Sequence, residues 1–142
     1  MIIDTTYLLP LARIYVETDI LRAIAEGRAE LSFDELAVNL VSLFELQAKA
    51  SKLGVPPKYV FKALDVILKS FHVVPFYLRE IISVAHDLKN TIRDYIDCVI
   101  LATAIALEDD LLTEDKNIHR WKDYVYEEYG VRVYRYSDLA KP

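Results

Sequence analysis

Thr91 to Asp115 reads T-I-R-D-Y-I-D-C-V-I-L-A-T-A-I-A-L-E-D-D-L-L-T-E-D, and the fold of this stretch decides how the rest of the chain is arranged. Between Cys98 and Leu107 the only polar side chain is Thr103, so a helix here is apolar all round and must be enclosed by other elements. The run falls short of the ~20 apolar residues that a bilayer crossing takes. It is entered through Asp94 and Asp97 and left, after the short run Leu111 to Thr113, through Asp115. Carboxylates at the mouth of a buried helix are costly unless something binds them.

Working outward, short apolar runs alternate with helical stripes. Met1 to Asp4 predicts a strand that ends in an acid, and Leu36 to Val41 predicts a buried strand. His72 to Phe76 predicts a third, which Pro75 confines to a sheet edge. Helical spacing predicts a helix over 17–26 closed by Gly27, and another from Ser42 to about Leu53 followed by Gly54. Ser42-Leu-Phe-Glu45 has the form of a capping box that opens the second of these. Two more helices run from Pro57 to near Phe71 and from Tyr77 to Leu88. Thr91 then reads as the N-cap of the central helix, with Asp94 closing a T-x-x-D box. Downstream, Leu111 to Thr113 predicts a strand, Lys116 to Trp121 a helical turn, and Val131 to Tyr136 a last strand. Strands alternating with helices imply a mostly parallel sheet covered on both faces, a three-layer α/β/α domain.

The chain has 142 residues, so residues 1–142 are expected to form one domain with its own core. Hydrophobic residues make up 54% and charged residues 27%, with only three Gly, a composition of packed rather than disordered chains. The lone Cys98 sits inside the apolar helix and reads as a core residue of a reducing compartment, and M-I-I-D-T-T has an acid where a secretion signal carries Lys or Arg. A cytoplasmic location is expected, with no membrane association. A net charge of −5 argues against a generic nucleic-acid coat, yet leaves room for a nuclease that meets phosphate through metal ions.

In open α/β sheets, ligands bind outside the carboxyl ends of the strands. Asp4, Glu45 and Asp115 each fall at or just beyond such an end, and Asp97 lies near the start of the buried helix. Converging carboxylates suit a hard divalent cation. Taken singly, most have plainer roles: Glu45 and Asp94 as capping-box acids, Asp115 as the cap of the turn after it. Asp4 has no cap or ion partner in the sequence, and Asp97 shares a helical face with Leu101 and Ala104, where a solvated acid is out of place.

M-I-I-D4-T-T, S42-L-F-E45, D97-C-V-I-L-A-T-A and L-L-T113-E-D115 together resemble the PIN domain family, most closely its VapC-type toxins and their archaeal relatives. The resemblance spans nearly the whole chain. It implies that Asp4, Glu45, Asp97 and Asp115 are the metal-binding, catalytic acids and that Thr6 and Thr113 are the supporting hydroxyl residues; Asp94 is an extra acid that departs from the family's pattern, with capping its first role and support of the site its second. It also implies an Mg²⁺- or Mn²⁺-dependent endoribonuclease, the toxin of a toxin–antitoxin pair, with RNA as substrate, a small antitoxin as partner, and a homodimer. Lys49 and Lys116 are candidates for contacting phosphate, with surface salt bridges as the plainer role. Arg132 and Arg135 fit either an RNA path or an edge strand charged against aggregation.

Competing readings are a PIN-like binding module without useful catalysis and a receiver-like phosphotransfer domain. The second is disfavoured because the first strand lacks an acid pair. His72, His86 and His119 lack zinc-site spacing, and no Gly-rich phosphate loop is present. The Tyr residues between Tyr124 and Tyr136 serve packing more commonly than base stacking.

Overall fold

Five short strands form one sheet in the computed structural model, which describes residues 1–142. They are β1 (Ile2–Ile3), β2 (Ala37–Asn39), β3 (His72–Val74), β4 (Leu111–Leu112) and β5 (Val133–Tyr134), in the order β3-β2-β1-β4-β5. Every pairing is parallel, with Ile2 opposite both Ala37 and Leu111, Val38 opposite Val73, and Leu112 opposite Tyr134. His72 to Val74 is an edge strand, as Pro75 requires.

Helices cover both faces. Between the strands run a 3₁₀ segment (Thr5–Ala12), α1 (Ile20–Ala25), α2 (Leu40–Lys52), α3 (Pro57–Ser70), α4 (Arg79–Leu88), α5 (Tyr95–Ala106), α6 (Lys116–Arg120) and α7 (Lys122–Tyr129), with α8 (Tyr136–Leu139) after β5. The pleat sends alternate residues to opposite sides. Ile2, Ala37 and Leu111 therefore enter one apolar cluster with α4 and α5, while Ile3, Val38 and Leu112 enter another with the 3₁₀ segment, α2 and α3. Two cores divided by one sheet are the three-layer α/β/α arrangement that the alternating pattern predicts.

α5 is the quoted stretch, buried from Cys98 to Ala104. Cys98 is fully enclosed, its thiol donating to the Ile92 carbonyl at 3.3 Å. Thr103, the one polar residue of the run, has a partner: Asn39 Nδ2 donates to Thr103 Oγ1 at 2.8 Å, and Thr103 Oγ1 donates to the Val99 carbonyl at 2.7 Å. Both side chains are buried, and their bond ties the start of α2 to the middle of α5.

Asn39 also starts α2 earlier than Ser42-Leu-Phe-Glu45 predicts. α2 begins at Leu40 with Asn39 as its N-cap, Asn39 Oδ1 accepting from Val41 N, so Ser42 heads no capping box and Glu45 caps nothing. Likewise Asp94, not Thr91, caps α5, accepting from the backbone N–H of Ile96 and Asp97. An acid at the N-cap faces the positive end of the helix dipole, which suits it better than the third position of a box. The expected last strand is shorter than 131–136, and α7 was not anticipated: of its residues only Val125 is buried.

Candidate metal centre

β1 lies between β2 and β4, where the chain, having moved outward through β2 and β3, crosses to the other half of the sheet. Such a reversal opens a crevice beyond the carboxyl ends of the strands. Asp4 directly follows β1 and Asp115 follows β4, so both flank it. α2 leaves β2 at the same edge and carries Glu45, while α5 starts there and carries Asp97 in its first turn. A cleft of about 680 Å³ gathers Asp4, Glu45, Asp97 and Asp115 with Thr5, Thr6 and Glu114. The four acids that the sequence singles out thus face one space, from four different elements.

Hydrogen bonds aim the carboxylates. Thr113 Oγ1 donates to Asp4 Oδ2 at 2.6 Å and Thr5 N donates to Asp4 Oδ1 at 2.7 Å. Thr5 Oγ1 donates to Glu45 Oε1 at 2.5 Å and lies 2.9 Å from the buried Ser42 hydroxyl. Asp115 Oδ1 accepts from Ile118 N at 2.9 Å, capping α6, which leaves Oδ2 for the cleft. His119 anchors the same turn by donating Nε2–H to the Thr113 carbonyl at 2.6 Å. Its burial and this bond give His119 a structural role.

Burial, with mutual repulsion adding to it, raises the pKa values of Asp4, Glu45 and Asp97. Burial pushes Asp97 up to about 7, with repulsion from Asp115, Asp94, Asp4 and Glu45 adding to it. Burial also raises Asp4, against the lowering hydrogen bonds from Thr113 and Thr5, and Asp115 and Asp94 push the same way. Glu45 is raised by burial and by Asp4 and Asp94, with the Thr5 hydroxyl opposing. Asp94 therefore supports the site through its field and its cap, but it does not line the cleft.

Three side chains were missed from sequence. Thr5, next to the expected Thr6, is the hydroxyl that bonds Glu45, and Ser42 backs it. Glu114 lines the cleft while its Oε2 accepts from the Tyr7 hydroxyl at 2.5 Å and from Tyr136 N at 2.7 Å. Burial and this carboxylate raise the Tyr7 phenol strongly, so Tyr7 stays a donor. Among the basic candidates, Lys49 lines the cleft and is joined by Lys52. Lys116, exposed at the first position of α6, does not. Arg132 lines a separate hollow and sits 5.5 Å from the Tyr126 ring, and Arg135 is the N-cap of α8.

All charged donors around the cleft centre are oxygens, the chemistry of a hard cation such as Mg²⁺ or Mn²⁺. No three His, Cys, Asp or Glu side chains are drawn close enough to hold one ion unaided. Mg²⁺ is commonly held by one or two carboxylates with water completing its octahedron, so this spacing fits a partly hydrated ion.

The PIN domain model matches residues 1–123. No curated protein matches the sequence. Among solved structures, a toxin–antitoxin complex from Klebsiella pneumoniae is similar at 20% identity and a TM-score of 0.59, over 82% of this chain and 88% of that one. VapBC2 from Rickettsia felis, bound to a DNA fragment from its promoter, is similar at 15% identity and a TM-score of 0.64, over 94% and 96%. FitAcB from Neisseria gonorrhoeae is similar at 16% identity and a TM-score of 0.65, over 97% and 99%. At these identities the likeness is one of fold, but with the family model spanning residues 1–123 and four carboxylates facing one cleft, the chain belongs to the PIN domain family.

Proposed function

We propose that this chain is a metal-dependent endoribonuclease and the toxin of a toxin–antitoxin pair, inhibited by a small antitoxin protein that covers the acidic cleft. The observation that carries the proposal is the convergence of Asp4, Glu45, Asp97 and Asp115 on one space at the sheet's reversal point. Family membership and the toxin–antitoxin setting of the similar structures support it.

A bound Mg²⁺ or Mn²⁺ supplies a Lewis acid that lowers the pKa of water and neutralises phosphate charge. The protein's part is positioning. Asp4, fixed on both oxygens by Thr113 and Thr5, and Asp115, fixed on Oδ1 by Ile118 N, would hold the cation from the two central strands. Asp97 and Glu45 would complete the oxygen set from the flanking helices. Asp97 loses its proton near neutral pH and so becomes fully anionic where a cation occupies the cleft. Glu45, held by Thr5, keeps Oε2 free for the cation or for a water. No side chain is needed as nucleophile. The acidic surface is offset at the site itself by the cation, which reverses the local sign for an incoming phosphodiester.

Purified protein is expected to cleave single-stranded RNA with Mg²⁺ or Mn²⁺, to stop in excess EDTA, and to lose at least about 100-fold with Asp97→Asn. Cleavage that persists in EDTA, or undiminished in the Asp97→Asn variant, refutes the proposal. A metal-independent RNA binder without cleavage would instead fit a PIN-like binding module.

A further inference from the structure

α2 carries more than Glu45 to the cleft. Phe44, Ala48, Lys49 and Lys52 also line it. Glu45, Lys49 and Lys52 are spaced i, i+4, i+7 and so share one helix face, with Phe44 and Ala48 forming the neighbouring row. Phe44 is 70% exposed, a large ring left in water at the rim of a polar cleft. A Glu followed four residues later by Lys ordinarily pairs along a helix. Here Glu45 takes the Thr5 hydroxyl instead, and the protein's four salt bridges (Met1–Asp109, Arg22–Glu26, Arg28–Glu26 and Lys69–Asp65) involve neither Lys49 nor Lys52. The rim therefore offers two unengaged cations and one unstacked aromatic face, within a helical turn or two of the carboxylates.

From this we infer that the exposed face of α2 is a platform for single-stranded nucleic acid: one base stacks on Phe44, and Lys49 and Lys52 hold the backbone phosphates flanking the bond in the cleft. The inference rests on the ribonuclease reading and assigns the side chains of this chain that would hold the strand beside the cleft. An aromatic ring beside cations that track a backbone is how proteins hold single strands without reading sequence. A duplex is disfavoured because its base faces are already stacked. A polyanion is electrostatically complementary to Lys49 and Lys52.

The test measures binding of a fluorescent single-stranded RNA to the full-length chain in Mg²⁺, on the Asp97→Asn background so that binding is separated from cleavage. Phe44→Ala is expected to weaken binding about tenfold, and Phe44→Trp to preserve it. Lys49→Gln with Lys52→Gln should flatten the slope of log affinity against log salt by about 1.4, at ~0.7 per phosphate contact on a single strand. Replacing the RNA bases one at a time with abasic sites should reveal one position that costs the parent the same tenfold and costs the Phe44→Ala form nothing. All these side chains are exposed, so matched thermal unfolding confirms that the variants fold. RNA binding unchanged by Phe44→Ala and by the lysine pair, in a protein whose wild type cleaves RNA, overturns this inference alone. Variants that bind RNA normally but bind an inhibitory protein more weakly overturn it in favour of a protein-docking face. A wild type that neither binds nor cleaves RNA overturns the ribonuclease reading as well.

Discussion

Asp97 meets opposite demands with and without a cation. Burial and four neighbouring carboxylates push its pKa up to about 7 from an ordinary 3.8, so the folded chain holds this proton more tightly than the unfolded one. Its contribution to metal-free stability is therefore fully present below about pH 4 and is lost as pH rises through about 7. Asp97→Asn mimics the neutral form. In the absence of metal it should unfold at a higher urea concentration than wild type at pH 8, with the gap closing toward pH 5, and equal midpoints at pH 8 would refute the crowding. Added Mg²⁺ should stabilise wild type more at pH 8 than at pH 5, because protons compete for the same oxygens. Asp4, Glu45, Asp97 and Asp115 were legible in the sequence because each sits at a strand's end or early in a helix that meets the same sheet edge. Thr5 and Glu114 were not, since what marks them is a partner 40 or 107 positions away: Glu45 for one, Tyr7 for the other.

Among the elements, α2 and α5 are joined by the buried Asn39–Thr103 bond. Thr103→Val keeps the volume but strands Asn39 Nδ2 in the core. The expected loss is ~1–3 kcal/mol of unfolding free energy in urea titration, while Thr103→Ser should lose much less because the hydroxyl remains. A Thr103→Val protein as stable as wild type would mean that the amide finds another partner. The same bond shows why S42-x-x-E45 misled: a local capping pattern lost to an Asn whose best partner lies on a different helix, and the chain turned into α2 three residues early. α7 was illegible for a different reason. K-D-Y-V-Y-E-E-Y buries only Val125 and carries no apolar stripe for periodicity to find. The strand expected at 131–136 alternates truly in burial, yet only Val133 and Tyr134 pair with β4, because the backbone N–H of Tyr136 is taken by Glu114 and the chain coils into α8.

At the scale of the molecule, strands of two or three residues owe their order to the helical layers around them, and elements of both layers meet at the cleft. A partly hydrated cation among Asp4, Asp97 and Asp115 would link β1, β4 and α5, directly or through its water shell, so binding should stabilise the entire fold. A ligand at 100 times its dissociation constant adds about 2.7 kcal/mol. Asp4→Asn should abolish the rise in melting temperature on adding Mn²⁺, and an undiminished rise would place the ion elsewhere. Cys98 offers a way to watch this one molecule at a time scale of minutes to hours. It is the chain's single thiol, wholly shielded, one residue beyond Asp97, and a maleimide can reach it only when α5 lifts from its neighbours. The rate of alkylation is thus a stopwatch for that lifting. Slower labelling with Mg²⁺ present would report the clasp from its hidden side, without any RNA being cut.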